Sequence, residues 1–211
     1  GSALGLSGAL LQGMLRNGLA SPFLLGISAG SGLVAVAVLG LGIWQIWLPL
    51  GAWLGGVATI VLVYFLARTG TGISVERLIL GGVALSTLFG AVQSMLLLLS
   101  PDGQAQAALR WLSGSLKGRG WQELVVVAPS VLVSLVAGCL LARQLNVLSL
   151  GDDLAVGLGS SLMRSRILIG AVATLLAAGA VCFAGLVGFV GLIVPHGVRL
   201  LVGTDYRLVL P

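Results

Sequence analysis

The chain has 211 residues, 58% of them hydrophobic and only 8% charged, with 11 basic against 6 acidic residues and a net charge of +5. A soluble domain carries roughly 25% charged residues to cover its water-facing surface, so this composition excludes a water-soluble globule and reads as a membrane protein. Single arginines punctuate apolar runs instead of lining a polar face, which excludes a nucleic-acid binder and marks orientation in a bilayer.

In chain order, Leu4 to Leu15 comes first and is too short to cross a hydrocarbon layer of ~30 Å, which takes about 20 residues. It reads as the end of a helix, in a window taken from a longer protein. Asn17 to Ala67 carries no charge over 51 residues, enough for two spans. Trp44, Trp47, Pro49 and Trp53 mark the turn between them, because indole rings favour the headgroup level. Leu78 to Pro101 and Leu124 to Ala142 are further apolar segments. Ile167 to Val198 is 32 residues long, ~48 Å as a single helix at ~1.5 Å per residue, too long for one crossing and too short for two. Gly185, Gly188, Gly191 and Pro195 fall in its second half, predicting a span to about Phe183 and then a broken or half-length helix. Such backbone survives at membrane depth only when packed in protein or lining a cavity. The expected fold class is an all-α polytopic membrane bundle, one transmembrane domain over residues 1–211, with roughly six spans plus the broken helix. Small residues at Gly26/Gly30 and Gly51/Gly55 have the spacing that lets such helices approach closely.

Alternating the sides places Arg16, Arg68, Arg77, Arg143, Arg164 and Arg166 on one face, joined by Arg199 and Arg207 if the broken segment returns. Arg110, Lys117 and Arg119 fall on the other, so the positive-inside rule makes the first face cytoplasmic. No Gly-Lys pair occurs, so no phosphate-cradling GxxxxGK[ST] loop is present, and neither a G-x-S-x-G elbow nor an H-E-x-x-H pair is found. The one histidine cannot form a cluster, and Cys139 and Cys182 lie inside apolar runs without metal or redox spacing. The sequence thus offers no catalytic residue, no metal site and no cofactor, and an enzyme is not expected.

The polar insert from Leu145 to Arg166 interrupts this pattern on the cytoplasmic side. Gly151 breaks the preceding structure, Asp152 can cap a new helix, and Asp153 favours its positive end. Leu150, Leu154 and Leu158 recur every four residues, and Gly159 can stop the turn. The result is a short amphipathic helix, either resting on the membrane surface or serving as a docking knob. Its acidic start favours docking, since surface-bound helices prefer Lys and Arg. Elsewhere, glycine-bearing apolar runs end in the polar clusters Gln12, Arg16, Asn17 and His196, Arg199, Asp205, Arg207. Gln12 suits an interhelical hydrogen bond, His196 suits helix-end packing over metal ligation, and Arg16 and Arg199 suit interface anchors.

Four blocks of the sequence carry a family resemblance. "SGALLQGMLRNGLASPFLLGISAGSGL" resembles G-x-x-x-Q-x-x-x-x-N-P-L-A-x-P-x-x-L-G-x-x-x-G-A, and "RLILGGVALSTLF" resembles R-L-L-L-A-G-V-A-L. "LNVLSLGDDLAVGLG" resembles L-N-x-L-x-L-G-[DE]-x-x-A-x-x-L-G, and "AGLVGFVGLIVPHGVRLLVGTDYRLVLP" resembles A-G-x-I-G-F-V-G-L-x-x-P-H-x-x-R-x-x-x-G-x-D-H-R. These are the signatures of FecCD-type permeases, the membrane subunits of bacterial ABC importers for iron–siderophore complexes, haem and cobalamin. Gly18 departs from the usual proline after Asn17, and Tyr206 from the frequent histidine before Arg207. The family has about ten helices, so the chain resembles its middle.

The resemblance implies a multi-pass protein of the bacterial cytoplasmic (inner) membrane, a homodimer or paralogous heterodimer of permeases with the pathway along its axis. It also implies two ATPase subunits that bind the ATP and a periplasmic substrate-binding protein. Carried over residue by residue, the ATPase-coupling positions are Leu148, Leu150, Gly151, Asp152, Asp153, Leu154, Ala155, Leu158 and Gly159. Ser74, Val75 and Glu76 match the cytoplasmic gate, although Glu76 and Arg77 also fit an ordinary exposed pair. Structural or pathway positions are Gln12, Arg16, Asn17, Pro22, Gly26, Gly188, Pro195, His196, Arg199, Asp205 and Arg207. Arg110, Lys117 and Arg119 are placed to meet the binding protein, or are solvated loop charges. The competing reading is a secondary transporter driven by an ion gradient. It wants a mid-membrane carboxylate, and none of the six acids lies inside a predicted span.

Overall fold

The computed structural model describes residues 1–42, 45–69, 72–117 and 120–210. Their order is α1 (Ser2–Leu15), α2 (Ile27–Gly40), α3 (Leu48–Ala67), the strand pair β1 (Arg68–Thr69) and β2 (Gly72–Ile73), α4 (Val75–Leu99) and α5 (Asp102–Leu112). Then follow α6 (Trp121–Leu140), α7 (Ala142–Ser149), α8 (Asp152–Gly157), α9 (Leu162–Ala184), α10 (Val190–Val202) and α11 (Tyr206–Val209). The two strands pair antiparallel, with Arg68 opposite Ile73. Trp44 and Arg119, singled out from the sequence, lie outside the described residues.

Helix α1 forms the centre. Every residue from Ala3 to Leu15 is buried, as expected of a helix apolar all round. It packs on α6, α7, α9 and α10. Lipid tails are as apolar as leucine, so this enclosure rests on van der Waals contact and interhelical hydrogen bonds. A Cβ on Gly8 would collide with the carbonyl oxygen of Gly191, so the backbones of α1 and α10 touch there. The adjacent Ser7 hydroxyl donates to the Ala173 carbonyl of α9 at 2.6 Å. The predicted small-residue spacing is used between α2 and α3, where a Cβ on Gly55 would fall 2.6 Å from the Gly30 carbonyl oxygen. Gly26 serves differently: its φ of +77° starts α2 in a left-handed cap.

Among the described residues, three helices are long and apolar enough to cross a membrane, namely α3, α4 and α9. A fourth crossing arises if Val127–Leu140 and Ala142–Ser149, bent by 50° at their junction, are counted together. The expectation of roughly six spans is therefore corrected to three or four. Charge-free length overcounts because parts of it run as turns, between α1 and α2 and between α9 and α10. Helices α1 and α2 have 14 residues each, ~21 Å at ~1.5 Å per residue, against a hydrocarbon thickness of ~30 Å.

The predicted interruption after the last long span is present. Helix α9 ends at Ala184, Gly185 (φ +75°) and Phe189 (φ +64°) take left-handed backbone, and α10 then runs only 13 residues. The Ala184 carbonyl accepts the Ser115 N–H at 2.8 Å, tying this break to the segment after α5.

Candidate coupling site and gate

The polar insert folds as α7, α8 and the short link into α9. Gly151, with φ +118°, turns the chain between α7 and α8. Gly159, with φ +79°, follows the last turn of α8 as a left-handed stop, as the sequence suggested. The expected cap does not form: Gly151 holds the N-cap position and no side chain caps α8. The Asp152 carboxylate is engaged elsewhere.

One carboxylate oxygen, Oδ1, accepts from Arg16 Nη2 at 2.9 Å and from Arg166 Nη2 at 3.0 Å, while Oδ2 accepts from the same Arg166 nitrogen at 2.8 Å. Arg16 is the left-handed residue (φ 49°) that closes α1. Arg166 lies near the start of α9 with only 8% of its side chain exposed. Its second terminal nitrogen, Nη1, donates to the carbonyl of Ile73 at 2.9 Å, in the segment leading to the candidate gate. The main chain of the same residue is also held: the Tyr64 hydroxyl of α3 donates to the Arg166 carbonyl at 2.8 Å. A Cβ on Gly170, one turn further along α9, would collide with that hydroxyl.

The gate positions come next in the chain. Ser74 caps α4, its hydroxyl accepting the Arg77 N–H at 3.4 Å. The same hydroxyl donates to the Glu76 carboxylate. Together Arg16, Ile73, Ser74, Val75, Glu76, Asp152 and Arg166 line a polar crevice of about 410 Å³. The structure thus brings the start of the insert and the expected gate to one end of the bundle.

The insert presents two faces. Leu150, Leu154 and Leu158 are each more than half exposed, and Asp153 is exposed beside them. Leu148 and Ala155, grouped with them as coupling positions, point inward and are buried, fastening the insert to the bundle.

The remaining positions fall into two groups. Gln12 Nε2 reaches the carbonyls of Gly191 and Leu192 at 3.4 and 3.3 Å, the interhelical bond suggested by its type, while its Oε1 is buried with no partner among the described residues. Pro22 and Phe23 lie against Gly191 and Gly188 of the same break. Asn17 accepts the Leu19 N–H at 2.9 Å and shapes the turn before α2. The second group joins α7 to the end of the chain. Asn146 donates from Nδ2 to Asp205 at 2.6 Å and accepts the Tyr206 N–H at 3.0 Å. Asp205 caps α11 by accepting the Arg207 N–H at 2.9 Å. That backbone hydrogen bond, with the one from Asn146, holds its carboxyl below the usual carboxylate range. The Arg199 guanidinium sits 5.6 Å from the Tyr206 ring centroid, within cation–π range. Pro195 is buried within α10 and His196 is exposed. At the far end of α9, Arg110 and Lys117 line a cavity of about 530 Å³ with Trp111 and Ala184. Arg119 lies outside the described residues.

Sequence reasoning treated Arg166 only as an orientation signal and passed over Asn146 and Tyr64. Their partners are 93, 59 and 102 residues away, beyond any local spacing. The one available signal was chemical: an arginine and an aspartate share an insert in a chain with so few charges.

A model of the FecCD transport family matches residues 1–211. The chain is 41% identical to the cobalamin import system permease protein BtuC of Halobacterium salinarum, over 100% of this chain and 57% of the relative. It is 36% identical to the hemin transport system permease protein HmuU of Yersinia pestis, over 100% and 65%. It is 42% identical to the ferric enterobactin transport system permease protein FepD of Escherichia coli, over 100% and 64%. The chain therefore spans 57% to 65% of the length of these relatives. A solved structure described as an inward-facing metal-chelate type ABC transporter superposes with a TM-score of 0.93 at 33% identity, covering 100% of this chain and 68% of the other.

Proposed function

We propose, from the premise that the chain belongs to the FecCD transport family, that it works as the membrane permease of an ATP-driven importer for a bulky metal chelate or corrinoid. The relatives are permeases for cobalamin, haem and ferric enterobactin, which puts an iron(III)–siderophore, haem or cobalamin in the cargo class. The chain is membrane-embedded, through long apolar helices in a family of membrane permeases. Its membrane in this reading is the bacterial inner membrane.

The observation that carries the reading is the arrangement of α8. Its leucine face is exposed at the arginine-rich end of the bundle, while Asp152 on the same helix is tied to Arg166, whose guanidinium also holds the Ile73 carbonyl at the gate. An exposed apolar face rimmed by charge is the usual signature of a docking surface. Gripped by an ATPase subunit, α8 is a lever whose movement reaches the gate. The 25-residue helix α4 supports the dimeric part of the proposal. Only Leu78 and Gly82 of it are buried in this chain, which leaves long faces for a second permease copy and for the pathway. Arg110 and Lys117, at the opposite end, are the basic groups offered to a binding protein.

The test is reconstitution in liposomes with candidate ATPase subunits and binding protein. Uptake that requires hydrolysable ATP and stops with a non-hydrolysable analogue is the expected result; uptake that follows an ion gradient without ATP overturns the assignment.

A further inference from the structure

We propose that Arg166 is the transmission residue of this permease, converting displacement of α8 into movement of the gate. The proposal rests on the importer reading above and deepens it.

The geometry has three parts. Asp152, in the first turn of α8, holds two arginines that differ in what stands behind them. Arg16 ends α1, a helix buried on all sides, and is a fixed reference. Arg166 is attached to the gate segment at two points: its guanidinium holds the Ile73 carbonyl at one end, and its own carbonyl receives the Tyr64 hydroxyl at the other. Tyr64 of α3 and Ile73 of β2, which leads into the Ser74 cap, are thus both held by one residue.

The chemistry suits a relay. A guanidinium is planar and permanently charged, and its fork can hold a carboxylate with one nitrogen and a carbonyl with the other. The contacts shown hold the group from its two terminal nitrogens, one on the carboxylate and one on the carbonyl. When α8 is drawn away from the bundle, Asp152 leaves one arginine or carries the other with it. Keeping Arg16 leaves the gate at rest; keeping Arg166 pulls the Ile73 carbonyl and the α4 cap. The structure shows the carboxylate on both arginines at once; release of one or the other is the two-state step by which we infer that α8 biases the gate.

The experiment uses the complete reconstituted transporter, comparing Arg166→Gln, Asp152→Asn and the double variant with the parent. Spin labels are placed at the exposed position of Arg77 in both permease copies. Expected for Arg166→Gln are retained ATPase binding, continued ATP hydrolysis, at least a ten-fold loss of uptake per ATP, and loss of the nucleotide-dependent change in label separation. The double variant should be no worse than Arg166→Gln, since both changes cut one path. Arg166→Lys keeps the cation should the glutamine variant fail to fold. It should also lose most of the change, because one ammonium cannot span Asp152 and Ile73 as the fork does. Normal uptake and a normal label shift in an assembled Arg166 variant overturn the relay, as do losses that multiply in the double variant. Failure of the parent chain to engage any ATPase overturns the importer reading instead, and is read separately from the parent alone.

Discussion

Asp152 and Arg16, 136 residues apart in sequence, meet at 2.9 Å, and the same aspartate binds Arg166 at 2.8 Å. One carboxylate therefore joins the end of α1, the amphipathic insert and the start of α9. Its side chain is 38% exposed while that of Arg166 is 8% exposed, so the pair lies between the ~0.2–1 kcal/mol of an exposed ion pair and the ~3–5 kcal/mol lost when a buried one is broken.

Asp152→Asn should consequently destabilise the purified protein by about 1–3 kcal/mol within those bounds, whereas Asp153→Asn, an exposed neighbour, should stay within about 0.5 kcal/mol of the parent. Thermal unfolding in detergent, followed by helical circular dichroism, checks both. Equal losses would mean that total acidity matters and the Asp152 contacts do not.

Changing Leu150, Leu154 and Leu158 together to Ser should cut ATPase co-purification at least ten-fold while leaving membrane insertion and thermal stability unchanged. The three side chains are mostly exposed already, so their truncation removes little from the packing of the bundle itself. Undiminished co-purification would refute α8 as the gripping surface.

Gly8→Ala should cost about 1–3 kcal/mol or more, the usual range for overpacking, because its new Cβ meets the Gly191 carbonyl oxygen of another helix. Gly157→Ala is the control. Nothing lies within 4 Å of a Cβ there, and at this last residue of α8 the change should stay within about 0.5 kcal/mol of the parent. The unfolding midpoint should fall for Gly8→Ala and hold for Gly157→Ala.

The cap at Asp205 sets a pH dependence. Its carboxyl is held below its ordinary value by the Arg207 N–H and the Asn146 amide, so the folded state favours the ionised form. The stabilisation is fully present above the unfolded value of ~3.9 and is lost as pH falls through the lower folded value. The stability difference between the parent and Asp205→Asn should hold steady from neutrality to about pH 5 and close only below ~3.9. A difference that closes near pH 6 would assign the effect to another group.

Much of the site was legible because charge is scarce. In a chain with so few charged residues, the insert at 145–166 and the turn at Ile73 to Arg77 stand out, and the glycines at 185, 188 and 191 foretell the break between α9 and α10. The number of crossings was not legible. The 51 uncharged residues from Asn17 to Ala67 contain a stretch of turns and a 14-residue helix before the one full-length span, and hydropathy alone does not separate these states. Nor was the duty of Asp152. An aspartate after a glycine reads locally as a helix cap, and only the tertiary approach of Arg16 and Arg166 redirects it. Arg166 itself was hidden because an arginine beside an apolar run usually anchors at the interface, yet here it turns inward.

The enclosure of α1 has a consequence for biosynthesis. Its wrapping partners α9 and α10 begin at Leu162 and Val190, whereas α1 itself is finished by Leu15. At a synthesis rate of ~5–20 residues per second, the ribosome needs on the order of ten seconds or more to deliver them. For that interval the nascent α1, with its bare glycines and the Gln12 amide, must be sheltered by the insertion machinery or by provisional neighbours. Helix α1 is thus made well before the neighbours that enclose it, which makes its glycine face a point where a slowed or interrupted translation would leave the protein misassembled.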